Sequence, residues 1–193
     1  MSKQQHEQFR VVIIGAGMAG ILSAIKLREA GFENFVIYEK GDRIGGTWRE
    51  NTYPGIACDV PAHLYTYSFE PNPEWSSSYA GGAEIHAYFQ HVAEKYDVLP
   101  CIRFNEAVPY CAFENGRWQI RTSTGREDVA DAVIAATGVL HHPHVADIPG
   151  LESFAGSCFH SAEWDHSVPL EGKRVGVIGT GSTAIQIVTA LVE

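Results

Sequence analysis

The sequence predicts an α/β fold built on a parallel sheet, and three observations predict it. A β-branched run, Val11 to Ile14, ends abruptly at a glycine turn. Apolar residues at helical spacing follow, and a second apolar run closes the unit. The same order of strand, glycine turn and helix then returns near the far end of the chain.

Val11 to Ile14 reads as a buried parallel strand, because an unbroken apolar run suits a strand covered on both faces. Met18, Ile21, Leu22 and Ile25 recur at helical spacing, and Gly31 supplies a C-terminal stop. Asn34 to Glu39 is a second strand. Together these make a βαβ unit, whose crossover is right-handed in nearly every known case. Gly41 to Ser78 is rich in Gly, Pro and aromatics and lacks periodicity, which marks a functional loop. The aromatics Trp48, Tyr53, Tyr65, Tyr67 and Phe69 argue against disorder there. Ile85, Tyr88, Phe89, Val92 and Tyr96 predict an amphipathic helix from near Ala83, with its aromatics in the core.

From Ile102 to Ala136 the chain reads as strands. Asn115-Gly116 is a strong hairpin signal and Thr124-Gly125 a weaker one. Asp131 to Ala136 is a last apolar strand, ending at Thr137-Gly138. After a link containing Pro and His, Val175 to Ile178 predicts a new buried strand, then a glycine turn and a helix that still runs at Glu193.

Bulk properties narrow the function. Apolar residues at 45% and charged residues at 19% describe a globular protein, so a packed site is available. A net charge of -9 argues against nucleic acid or an anionic membrane as partner, since phosphates are repelled. Met1 to Arg10 is polar, which predicts no secretory signal, and no apolar run nears the roughly 20 residues a span needs. Cys58, Cys101, Cys111 and Cys158 form no CxxC pair, so reduced thiols in the cytoplasm are expected. His141-His142-Pro143-His144 has no carboxylate or Cys partner at ligand spacing and reads as a surface loop, so no metal is expected.

Two motifs carry the chemistry. In Gly15-Ala16-Gly17-Met18-Ala19-Gly20, Gly15 permits the tight turn, Gly17 lets backbone approach a pyrophosphate, and Gly20 allows close helix–strand packing. The N–H groups at the helix start would hold the phosphates. Glu39, at the end of the next strand and followed by Lys40, is placed to accept the ribose hydroxyls of an adenine nucleotide. The second motif, Gly179-Thr180-Gly181-Ser182-Thr183-Ala184, replaces the third glycine by Ala, which the fingerprint tolerates. Two such units suggest two dinucleotides with electrons passing between them.

From Arg10 onward the sequence resembles the two-dinucleotide flavoprotein monooxygenases, and most closely the type I Baeyer–Villiger monooxygenases. Gly46-Thr47-Trp48, Tyr53-Pro54-Gly55 and Asp59 resemble that family's G-x-W-x4-[FY]-P-G-x3-D signature. Phe154, Gly156, His160, Trp164 and Asp165 fit its F-x-G-x3-H-x3-W-[PD] linker signature. Ala136-Thr137-Gly138 resembles the turn by which the chain leaves the flavin domain. The resemblance implies a Rossmann-like FAD-binding domain with a β-meander insertion over residues 1–150. A linker would follow over 151–172, and the start of a second Rossmann, NADP-binding unit over 173–193.

The resemblance also implies roles. Gly46, Thr47, Trp48, Tyr65 and the backbone at Val108 would approach FAD. Thr180, Gly181, Ser182, Thr183, Ala184 and Gln186 would hold the NADPH pyrophosphate. Ala57, Cys58 and Asp59 would reach its nicotinamide end, with Asp59 also tuning the field at the reactive flavin face. His160 and Trp164 would couple domain movement to cofactor state. The implied activity uses NADPH and O2 to form a C4a-peroxyflavin that inserts oxygen into a ketone, giving an ester or lactone. Oxygenation of amine nitrogen or sulfide sulfur, and a non-catalytic nucleotide-binding fragment, stand as alternatives. Completing the site would need carboxy-terminal sequence beyond Glu193.

Overall fold

A computed structural model describes residues 8–192. The polar start through Glu7 and the helix position at Glu193 lie outside the described residues. The structure divides into two compact units that interleave along the chain. One holds the chain up to Gly46 together with Ala87–Gly138; the other holds Thr47–His86 and the chain from Val139 onward.

The first unit is organised by a four-stranded parallel sheet. Its strands are β1 (Val11–Ile14), β2 (Phe35–Tyr38), β3 (Ile102–Arg103) and β7 (Ala132–Ala135), in the order β3-β2-β1-β7. Val11 pairs with Phe35 on one side and with Ala132 on the other, so β1 is central. Helix α1 (Met18–Glu29) packs on β1 and β2. Its buried row is Gly20, Ile21, Ala24 and Ile25, while Met18, expected in that row, is 39% exposed at the helix start. Gly31 ends the helix with a positive φ, and Phe32 N–H returns to the Leu27 carbonyl at 2.9 Å.

Between β3 and β7 runs the expected meander: β4 (Tyr110–Glu114), β5 (Arg117–Arg121) and β6 (Glu127–Ala130), all antiparallel. Asn115 and Gly116 both take positive φ, as the two-residue hairpin turn requires. The meander closes one face of the parallel sheet, where Val12, Val36 and Tyr38 meet Ile120 and Ala130. Val12 pairs with Val36 in register and Ile14 with Tyr38, so alternate residues line that face.

A charged bracket ties the sheet's start to the meander. Arg10 reaches Asp128 at 2.7 Å, and the Tyr38 hydroxyl donates to the same carboxylate at 2.8 Å. Burial opposes ionisation of Asp128, yet Arg10 and Tyr38 outweigh it and hold its carboxyl below the usual range. Burial, then the bond to Asp128, pushes Tyr38 up to about 12, so it stays a donor at neutral pH. A carboxyl depressed in the folded state contributes stability that is present above its unfolded value and is lost as pH falls through the folded one. The urea midpoint should therefore fall as the pH drops below the ordinary carboxylate range, and Asp128→Asn should flatten that limb. An unchanged acid limb in Asp128→Asn would remove this bracket from the stability account.

In the second unit, α2 is a single turn (Thr47–Glu50) and a 3-10 turn spans Ala62–Leu64. Helix α3 (Gly82–Lys95) begins in this unit; as expected, Ile85, Phe89 and Val92 along it are wholly buried. Helix α4 (Ser182–Val192) follows the second glycine turn. The predicted strand Val175 to Ile178 does not form; it is irregular, with Ile178 69% exposed. A strand is stable only with a neighbour to pair its backbone, and none of the described residues pairs with it. Among the described residues no helix is long and apolar enough to cross a membrane.

Candidate functional site

In the first unit, the glycine turn sits at the carboxyl end of central β1, beside the end of β7 at Ala136. Sheets of this kind bind ligands at that edge. Gly15 has φ +101°, and a Cβ there would stand 2.6 Å from the Ala136 carbonyl oxygen. At Gly20 a Cβ would fall 1.9 Å from the Gly15 carbonyl oxygen, so the helix could not seat. Both glycines are required by the polypeptide itself.

Gly17 differs. Its φ of -78° and ψ of -170° suit any residue, and a Cβ would meet only the Gly46 backbone, its Cα at an ordinary 3.6 Å and its N at 3.9 Å. Neither strain nor crowding demands glycine here, so the bare backbone leaves room for something other than protein. Gly46, with φ +52°, packs against it so closely that a Cβ there would stand 3.1 Å from the Gly17 Cα. Helix α1 starts at Met18 and Ala19 with no side-chain cap, as a phosphate-binding start does.

Glu39 is 3% exposed and closes the turn from behind. Its Oε2 accepts from Ala16 N–H at 2.7 Å and its Oε1 from Gly41 N–H at 2.8 Å. Lys40 is exposed. Val108 turns its side chain into the core beside Ile120. Thr137 follows Ala136, and Gly138 has φ +72° with open space where a Cβ would be.

In the second unit, the Trp48 indole N–H donates to the Tyr65 hydroxyl at 3.1 Å, and the two rings meet edge to face. Burial raises the Tyr65 phenol above its ordinary value, against the opposing pull of the bond from Trp48. Thr47 is exposed at the start of this turn.

The loop from Tyr53 to Asp59 lies along α4. Asp59 Oδ2 accepts from Ser182 Oγ at 2.9 Å, and Gln186 Nε2 donates to the Ala57 carbonyl at 2.9 Å. Tyr53 Oη donates to Gln186 Oε1 at 3.0 Å. Gly55 touches the helix so closely that a Cβ would lie 2.6 Å from the Gln186 carbonyl oxygen. Cys58 is buried, its N–H bonded to the Ala80 carbonyl at 2.9 Å. Thr180 and Gly181 are exposed, and Thr183 and Ala184 partly buried, at the start of α4.

The linker residues make local contacts. His160 Nδ1 accepts from Ala162 N–H at 3.1 Å and caps a 3-10 turn. Trp164 meets Phe159 edge to face, and Phe154 folds its ring over Gly156, leaving no space for a Cβ there. Asp165 accepts from both the N–H and hydroxyl of Ser167, which hold its carboxyl below the usual range. Sequence reasoning did not find the Tyr53–Gln186 bond or the contact of Thr52 with His166 at 2.9 Å. Contacts between residues more than a hundred positions apart leave no local pattern.

A parallel sheet with a glycine turn at its switch point, and a second glycine turn opening α4, give the α/β architecture on which dinucleotide-binding proteins are built. Residues 8–193 match the family model for flavin-binding monooxygenase-like proteins, and the chain belongs to that family. A Baeyer–Villiger monooxygenase of Streptomyces coelicolor is 49% identical over 191 residues, covering 98% of this chain and 37% of that protein. The open crystal structure of cyclohexanone monooxygenase superposes with a TM-score of 0.86 at 35% identity, over 94% of this chain and 37% of that one. A crystal structure of OTEMO in complex with FAD and NADP gives 0.86 at 34% identity, over 96% and 37%. The chain thus spans a little over a third of these relatives.

Proposed function

We propose that the intact protein is an FAD- and NADPH-dependent monooxygenase that inserts one atom of O2 into a ketone, giving an ester or lactone and water. The observation that carries this reading is the grip of α4 on the Asp59 loop, which puts a carboxylate at the mouth of the second glycine turn. The names of the relatives add the chemistry. FAD, when bound, supplies the activation of O2 with electrons drawn from NADPH.

This chain's residues do the rest. Backbone N–H groups from Gly17 to Gly20 bind the FAD diphosphate, and Glu39 accepts from its ribose. Gly46, the Val108 backbone and the Ala136-Thr137-Gly138 turn are assigned to FAD as well, and by the same resemblance so are Thr47, Trp48 and Tyr65. Thr180 to Ala184 bind the NADPH diphosphate, and Ala57 to Asp59 orient its nicotinamide amide. Residues 1–150 act as the FAD-binding part, 151–172 as a connection, and 173–193 as the opening of the NADP-binding part. Sequence beyond this chain completes the site. A cytoplasmic setting suits the four unpaired thiols.

The test is labelled-oxygen mass spectrometry on the intact enzyme with a panel of ketones and sulfides. Ester carrying one labelled atom is the expected product; sulfoxide with no ester from any ketone would reject ketone oxidation. Two glycine substitutions test the first site. Gly20→Ala should destabilise by roughly 1–3 kcal/mol or more, because backbone must shift. Gly17→Ala should leave the unfolding midpoint nearly unchanged but weaken flavin retention by about tenfold, seen as colour lost on dialysis. Equal flavin content in Gly17→Ala and the parent would refute the phosphate cradle.

A further inference from the structure

We propose that Gln186 is a positioning residue: its side-chain amide, bonded to the Tyr53 hydroxyl and the Ala57 carbonyl, holds the Asp59 loop in place when nucleotide occupies the second glycine turn. This rests on the nucleotide reading above and reassigns Gln186 from holding the dinucleotide to holding the loop.

The geometry separates two kinds of grip on one helix face. Ser182 and Gln186 stand one turn apart on α4, and both reach the same loop. The outer contact, Asp59 with Ser182, is exposed and lies at the helix start. An incoming phosphate would compete for that hydroxyl and repel the carboxylate. Phosphate binding at this turn therefore releases Asp59 from its partner. The inner contacts lie a turn further along the helix and are part-buried. Tyr53 is 8% exposed, so its hydroxyl is fixed by packing before it meets Gln186.

Both ends of the Gln186 amide are already committed, Oε1 as acceptor from Tyr53 and Nε2 as donor to Ala57. A side chain so engaged is poorly placed to serve as a phosphate ligand. It is well placed to keep the carbonyl of Ala57, two residues before Asp59, at a fixed height over the helix. With Gly55 packed against the same turn, the loop keeps its inner anchor while its outer end is freed.

The experiment is hydrogen exchange of the Ile56 and Cys58 amides in the intact holoenzyme, with and without NADP+, beside calorimetric NADP+ binding. Gln186→Leu should keep NADP+ affinity within about threefold, since no phosphate contact is lost. Exchange of the two amides in the NADP+ complex should quicken by roughly tenfold or more, because both hydrogen bonds of the amide to the loop are lost. Tyr53→Phe, which removes only a hydroxyl and keeps the ring, should do the same in smaller measure. The double variant should add little to Gln186→Leu. NADP+ binding with unaltered loop exchange in Gln186→Leu overturns the positioning role alone. So does a loss of NADP+ affinity with loop exchange unaltered, which would return Gln186 to the ligand set. Failure of the unsubstituted holoenzyme to bind NADP+ overturns both this role and the nucleotide reading.

Discussion

Asp59→Ala in the intact enzyme should leave flavin bound while product formation slows on the order of 10²-fold. The carboxylate belongs to the loop held by α4, in the unit that does not carry Gly15 to Gly20. Flavin content should therefore be unchanged by absorbance, whereas on the proposed assignment the nicotinamide end should lose its orienting acceptor. Ser182→Ala gives a useful contrast, since it removes the partner and keeps the carboxylate. If Asp59 acts on the nicotinamide rather than as a turn cap, Ser182→Ala should be much milder in kcat, with the phosphate contact it loses showing in the KM for NADPH. Full turnover in Asp59→Ala would reduce this residue to holding its own loop.

Glu39→Ala should release flavin and soften the first unit at once. Two backbone N–H groups, those of Ala16 and Gly41, lose a buried acceptor. Each unsatisfied donor costs about 1–3 kcal/mol, so the loss falls on the turn that begins at Gly15. Glu39→Gln separates shape from acceptor number. An amide fills the same space but offers one oxygen, so one of the two N–H groups would face an NH2 donor. Flavin content after dialysis should fall in the order parent, Gln, Ala, with the thermal midpoint following it. Equal content in all three would dismiss Glu39 from cofactor retention.

Much of the first unit was legible because its signals are local. Gly15 and Gly20 are forced by a positive φ and by contacts within the turn, and the Asn115-Gly116 hairpin is forced by two positive φ values. Runs such as Val11 to Ile14 need no distant partner to declare burial. The Val175 to Ile178 run carried the same apolar signal and formed no strand, because pairing is a property of the neighbour. The candidate site was legible as a set of motifs and less so as a mechanism. Glu39 was expected at a ribose, and the structure shows it clamping the N–H groups of Ala16 and Gly41. Gln186 carries no mark in its own neighbourhood of the partner it meets at Tyr53. Arg10 and Asp128 likewise sit 118 positions apart and show their bracket only once folded.

The bare Cα of Gly55 pressed against the flank of α4 has a consequence for redesign. A Cβ at Gly55 would also stand 2.9 Å from the methyl of Ala190, so residues 55 and 190 share one allotment of space. Bulk can be added to neither face without displacing the other. Ala190→Val would act as a wedge from behind, lifting the loop without touching any group assigned to catalysis. Mutant libraries aimed at this region should vary the two positions jointly, since single enlargements at either will be culled before their chemistry can be read.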